Sequence, residues 1–210
     1  RGKGATDTAV EFEKGAKKIT GDHPIKVLRI SDYNTVGMTD ENWFRFAESV
    51  GFSNKQSGSG GSFGLGKGAY YVSSGFLSLF ISSIISGNSN VFAGKSIVTT
   101  FEHKGVRKQN NGTYGIGEQQ PIRDRASIPM NFTKHFPDVF GRSRTGTDFL
   151  IPDFIGDENW ESELVKSILC YFWLPIIMGK LVVKVQDGGA ISADTIEHLL
   201  HKYFSKAPFQ

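Results

Sequence analysis

Ser57-Gly58-Ser59-Gly60-Gly61-Ser62-Phe63-Gly64-Leu65-Gly66-Lys67-Gly68-Ala69-Tyr70-Tyr71 is the stretch on which the reading of this chain turns. Six of its first twelve residues are glycine, and Lys67 stands where the glycines give way to an apolar segment. Glycines let a backbone approach a ligand closely, because no Cβ intervenes and positive φ costs little. A helix opening near Gly66 or Lys67 would turn free N–H groups towards the loop, and the ammonium of Lys67 suits a phosphate oxygen. The stretch therefore reads as a loop that wraps nucleotide phosphates. The plainer alternative is a flexible Gly/Ser linker.

Three familiar phosphate loops do not fit. Gly61 to Lys67 follows the P-loop spacing, but Gly68 stands where a magnesium-binding hydroxyl is needed. The segment before it, Asn54-Lys55-Gln56-Ser57, is no buried strand. Gly64-x-Gly66-x-x-Ala69 resembles a dinucleotide fingerprint but lacks both the leading strand and the acidic residue about 20 positions on. No V-A-I-K-like lysine follows, as a kinase loop requires.

The 210 residues are enough for one large domain, or a domain with an appendage. With 39% hydrophobic and 21% charged residues the chain reads as a folded globule, and a formal charge of +3 does not point to nucleic acid. One cysteine, Cys170, excludes an internal disulfide framework and suits a reducing, cytoplasmic setting. Lying in Ile168-Leu169-Cys170-Tyr171-Phe172-Trp173, it is expected to be a buried structural thiol. No apolar run reaches the ~18 residues of a membrane span, so no membrane is expected. The chain starts at Arg1 rather than Met, which leads the reading to expect residues upstream.

Apolar spacings of three and four predict a helix over 5–19. Pro24 to Ile30 alternates as a half-buried strand and runs into Ser31-Asp32-Tyr33-Asn34-Thr35-Val36-Gly37-Met38. An acid at a strand end followed by turn residues is where α/β proteins often place ligand contacts, although by itself the loop reads first as a plain Asx-turn with Thr39 capping the next helix. Helices are predicted over 39–50 and 67–74, and antiparallel strands over 76–85 and 95–103. Residues 104–146 read as irregular, with Arg123, Arg125, Lys134, His135, Arg142 and Arg144 as solvated charge. A loop at Arg144 to Gly146 enters a strand. The longest helix is expected over 159–178, with Trp160, Leu164, Ile168, Tyr171 and Phe172 as its core stripe and Pro175 as a kink or stop. A strand over 181–185 and a helix capped by Ser192 close the chain. His198 and His201 have no third partner for a zinc site.

Three loops in order, Asp32 to Gly37-Met38, Gly61 to Lys67, and Gly146-Thr147, resemble the GHKL ATPases, the superfamily of gyrase B, MutL and the histidine kinases. The wording Asp-Tyr-Asn-Thr-x-Gly and Ser-Phe-Gly-Leu-Gly-Lys is most similar to bacterial MORC-like, phage-defence members. The resemblance implies an α+β Bergerat-type sandwich: a mixed, mostly antiparallel sheet, helices on one face, and a mobile ATP lid. It places the ATP-binding domain at 1–155 and a helix–strand–helix extension, packed on the same domain, at 156–210. It implies that Asp32 accepts the adenine amino hydrogens, Asn34 shapes the turn, Gly37 makes room for the base, and Met38 packs on it. Gly61, Ser62, Phe63, Gly64, Leu65, Gly66, Lys67 and Gly68 would hold the phosphates, and Thr147 would join Asp32 through a water or hydroxyl. ATP and Mg2+ are the implied cofactors, and ATP-driven lid closure, homodimerisation, slow hydrolysis and signalling to an effector domain the implied behaviour, with a possible place in antiviral defence. Two departures stand out. Gly37 lies five residues after Asp32, one more than usual, and Asn34, which tolerates the left-handed conformation, would absorb the extra residue. The family's upstream glutamate–asparagine helix has no match, since Glu11 and Glu13 lack the asparagine, so no catalytic or metal-binding residue is assigned. The alternative is a nucleotide-sensing or protein-interaction module that does not hydrolyse.

Overall fold

In the computed structural model the described residues are 4–47, 66, 68–87, 89–97, 100–108, 111–117, 119–186 and 188–204. The chain divides into two compact units, Arg1–Ile155 and Gly156–Gln210.

The first unit opens with α1 (Gly4–Thr20), joined by a short turn to strand β1 (Val27–Ser31). Helices α2 (Asp40–Ala47) and α3 (Gly68–Val72) precede the long hairpin β2 (Ser78–Ile85) and β3 (Ser89–Ile97). A two-stranded ribbon, β4 (Phe101–His103) with β5 (Val106–Lys108), is followed by β6 (Asn111–Tyr114). Helices α4 (Met130–His135) and α5 (Pro137–Phe140) lead to β7 (Gly146–Pro152). The sheet order is β1-β7-β2-β3-β6, and all its pairings are antiparallel. The fold class is thus the expected α+β arrangement of sheet and helices.

Side chains alternate between the faces of a strand, so the register assigns each residue a side. Thr147 and Phe149 of β7 share one face with Leu79, Ile81 and Ser83 of β2 and with Val91 and Ala93 of β3. Met38, Trp43 from α2, and Tyr71 from α3 bury this face. Asp148 and Leu150 share the other face with Phe80 and Phe92, which Ile122, Ile128, Phe132, Val139 and Phe140 cover. Helices therefore lie on both faces, where the resemblance led us to expect one. Phe92 stands at the hub of the second core, ringed by Phe80, Phe132 and Phe140.

Three local readings need correction. The strand expected over 95–103 is divided, with β3 starting earlier, at Ser89, and ending at Ile97, and with Phe101–His103 belonging to the separate ribbon. Within 104–146, read as irregular, Asn111–Tyr114 pairs with β3 as the edge strand β6, a tertiary override of local preference. Arg142, read as solvated, is buried, because a carboxylate waits for it inside.

The second unit holds α6 (Trp160–Tyr171), α7 (Trp173–Ile177), a minimal pair β8 (Val183–Lys184) and β9 (Ala190–Ile191), and α8 (Ile196–Phe204). The single helix expected over 159–178 breaks at Phe172. Pro175 cannot donate to the carbonyl of Tyr171 and its ring would crowd that group, so the turn restarts. The buried stripe is Ile168 and Leu169 with Ile176, Ile191 and Ile196, whereas Tyr171 is 81% exposed. Cys170 is exposed, not buried, since it lies one step round the helix from Leu169. Among the described residues no helix is long and apolar enough to cross a membrane.

Candidate functional site

Asp32 follows directly on β1, beside β7. Its N–H donates to the carbonyl of Thr147 at 2.9 Å, and the N–H of Asn34 reaches the carbonyl of Thr145 at 2.9 Å, so the ladder continues into the loop. The chain then turns through two left-handed residues, Asn34 at φ 61° and Gly37 at φ 72°. Asn34 thus takes the conformation that its side chain tolerates best among non-glycine residues. At Gly37 a Cβ would stand 2.7 Å from the carbonyl of Ile84 and 2.8 Å from Ser83 Oγ, so only glycine lets the loop lie this close to β2. Thr39 caps α2: its hydroxyl accepts the N–H of Asn42 at 3.3 Å. Asn42 in turn donates to the carbonyl of Gly37 at 2.8 Å. The capping turn and the candidate ligand loop are one structure.

The two oxygens of the Asp32 carboxylate differ. Oδ1 accepts the Thr35 hydroxyl at 2.5 Å and the N–H of Thr147 at 3.0 Å. Among the described residues Oδ2 accepts no bond, and the residue is only half-buried. An ionised carboxylate has acceptor capacity on both oxygens, so Oδ2 is left able to receive a donor from outside.

Ser83, which the sequence reading did not single out, joins the parts. It is 1% exposed. Its Oγ accepts the N–H of Met38 at 2.8 Å, donates to the carbonyl of Gly146 at 2.8 Å, and lies 3.2 Å from Thr147 Oγ1. One donor and two acceptor positions are all a hydroxyl has, and each is matched here. The signal was present as the serines that interrupt the apolar run Leu79-Phe80-Ile81-Ser82-Ser83-Ile84-Ile85. Thr147 meets Asp32 through its backbone N–H, while its hydroxyl faces Ser83.

Asp32 just past β1, Thr147 on β7 and Ser83 on β2 thus stand in a row across neighbouring strands of the sheet. Met38 belongs to the core under Trp43 and Tyr71. Tyr70 lies alongside, its ring stacked on Phe149 at 4.5 Å and 11°, with Phe46 tilted against both. Such pairs add about 0.5–1.5 kcal/mol each beyond burial. Burial first, and the charge of Asp32 second, raise the Tyr70 phenol above its ordinary value, so at neutral pH it remains an O–H donor within electrostatic reach of the carboxylate.

Gly61, Ser62, Phe63, Gly64, Leu65 and Lys67 lie outside the described residues. Gly66 and Gly68 are described, the latter opening α3, and a Cβ on either would meet nothing within 4 Å. A cavity of about 250 Å³, lined by Ser78, Phe80, Gly94, Ser96 and Tyr114 among others, lies at the opposite end of β2 from Ser83.

Behind the row, on the other face, Asp148 is 0% exposed. Its Oδ1 accepts Arg29 Nε at 2.9 Å and the Ser31 hydroxyl at 2.5 Å, and its Oδ2 accepts Arg142 Nη1 at 2.5 Å. Arg142 spends its other nitrogens on main chain: Nε donates to the carbonyl of Arg144 at 3.1 Å and Nη2 to the carbonyl of Asp32. Its guanidinium lies 4.4 Å from the centre of the Tyr33 ring. Sequence reasoning missed this cluster because its two stretches, 29–33 and 142–148, are brought together only by the β1–β7 pairing.

Compared with protein-family models and with curated proteins, the chain matches none.

Proposed function

We propose that this chain is the ATP-binding domain of an ATPase of the GHKL kind, with the adenine amino group received by Asp32 Oδ2. The observation that carries the reading is the asymmetry of that carboxylate: Oδ1 is tied by Thr35 and Thr147, and among the described residues Oδ2 accepts no bond. A half-tied carboxylate is held in one orientation and keeps its acceptor for a ligand. The loop shaped by Asn34 and Gly37 and the uncrowded glycines at 66 and 68 support the same reading. Phosphates fall to the glycine-rich stretch with Lys67.

Among the described residues no cluster of His, Cys, Asp or Glu is fit to hold a resident metal. Magnesium would accompany the phosphates, for which it keeps most of its water. ATP would close the glycine-rich stretch as a lid and favour a dimer, with hydrolysis resetting the switch and an effector domain reading it. No catalytic base is assigned. Calorimetric titration with a non-hydrolysable ATP analogue and magnesium tests the proposal. Binding that Asp32→Ala abolishes supports it, and a folded chain that takes up no ATP analogue overturns it.

A further inference from the structure

We propose that Arg142 is the positioning residue of the base-reading loop: anchored on Asp148, it grips the main-chain carbonyl of Asp32 and so sets where the Asp32 carboxylate stands. The inference rests on the functional reading above and extends it to a residue that would touch no ligand.

Four observations carry it. The Arg142 side chain is 3% exposed, and that of Asp148 0%. A planar guanidinium offers donors in fixed directions, and here each of its three nitrogens meets a different segment: Asp148 on β7, Arg144 before β7, and Asp32 after β1. The guanidinium carbon stands 4.4 Å from the centre of the ring of Tyr33, the residue next to Asp32. Finally, Gly146 at φ 135° leaves the space that this meeting needs. A Cβ there would fall 2.4 Å from the carbonyl of Asp32, 2.7 Å from Arg142 Nη2 and 2.7 Å from Asp32 Oδ1. Gly146 thus has a reason to be glycine in the protein itself. The carbonyl and the carboxylate of Asp32 belong to one residue, so a grip on the first fixes the origin of the second. A lysine at 142 could keep the bond to Asp148 but has one nitrogen, and could not hold the carbonyls of Asp32 and Arg144 as well.

The test compares ATP with inosine triphosphate, which carries a 6-oxo acceptor in place of the 6-amino donor, on the parent chain and on Arg142→Lys. We expect Arg142→Lys to unfold cooperatively and to lower the preference for ATP by about tenfold, which is about 1.4 kcal/mol. A purely structural role would weaken both nucleotides alike and leave their ratio unchanged, and that result overturns the inference. A second readout needs no variant: the Arg142 Nε–H resonance of the parent chain should shift on adding ATP and remain still with inosine triphosphate. No shift with ATP also overturns it. A parent chain that binds neither nucleotide removes the functional reading itself, an outcome distinct from a parent that binds ATP with an unchanged ratio in the variant.

Discussion

Asp32 and Asp148 stand at the same end of the sheet, Asp148 facing Ser31 across the β1–β7 ladder and Asp32 one residue further on. They point to opposite faces and are treated in opposite ways. Asp148 is wholly buried, and two arginines and a serine saturate it. Asp32 is half-buried, with one oxygen bound and the other open among the described residues. Burying an unpaired carboxylate costs several kcal/mol, so Asp148 exists only with its partners, and the cluster works as a clamp. Asp32 keeps solvent contact and unused acceptor capacity, as the proposed role in base recognition requires.

The comparison can be broken at several points, in falling order of effect. Asp148→Ala leaves Arg142 buried without its counter-charge, and urea unfolding should show a loss of about 4 kcal/mol. A loss below about 1 kcal/mol would mean that the clamp is ornamental. Gly37→Ala combines a left-handed alanine with a Cβ pressed on the Ile84 carbonyl, and should cost about 3 kcal/mol in the same assay. Ser83→Ala strands the Met38 N–H and the Gly146 carbonyl in a buried site, for about 2 kcal/mol. Asp32→Asn keeps an oxygen where Thr35 and Thr147 donate, so its stability should change by less than about 0.5 kcal/mol. A large change there would make Asp32 as structural as Asp148.

A further check, outside that ranking, concerns pH on the face that carries Asp32. Burial pushes the Tyr71 phenol up to about 12 from 10.0. The unfolded chain then ionises first, so this contribution is intact below pH 10 and is lost as pH rises towards 12. Melts across that range, with phenolate absorbance followed in parallel, should show stability and ionisation changing together. A Tyr71 signal that titrates at its ordinary value would mean that this face is looser than described.

How far the residues alone could be read differs between the two aspartates as well. The Asp32 loop was legible because its parts are consecutive: a strand with period two, an acid, an Asn and a Gly able to take positive φ, and a Thr that caps a helix. Gly146-Thr147 was legible as the start of a strand, but the backbone bond between Thr147 and Asp32, 115 residues apart, belongs to the register. The Asp148 clamp was illegible. Arg142 sits among exposed arginines and prolines, and nothing local distinguishes it from Arg125 or Arg144. The exposed Tyr171 and Cys170 failed for a related reason: helical spacing proposes a stripe, and the elements that pack on it choose which neighbouring stripe is buried.

The central claim, that Asp32 Oδ2 accepts the amino group of adenine, is tested most directly by competing ATP against inosine triphosphate on the parent chain and on Asp32→Asn. The exchange turns the open acceptor into a donor while leaving Oδ1 in place. The account predicts that the parent favours ATP by about 100-fold, about 2.7 kcal/mol, and that Asp32→Asn loses or inverts that preference. Equal affinity of the parent for the two nucleotides, or a preference that survives in Asp32→Asn, would contradict it.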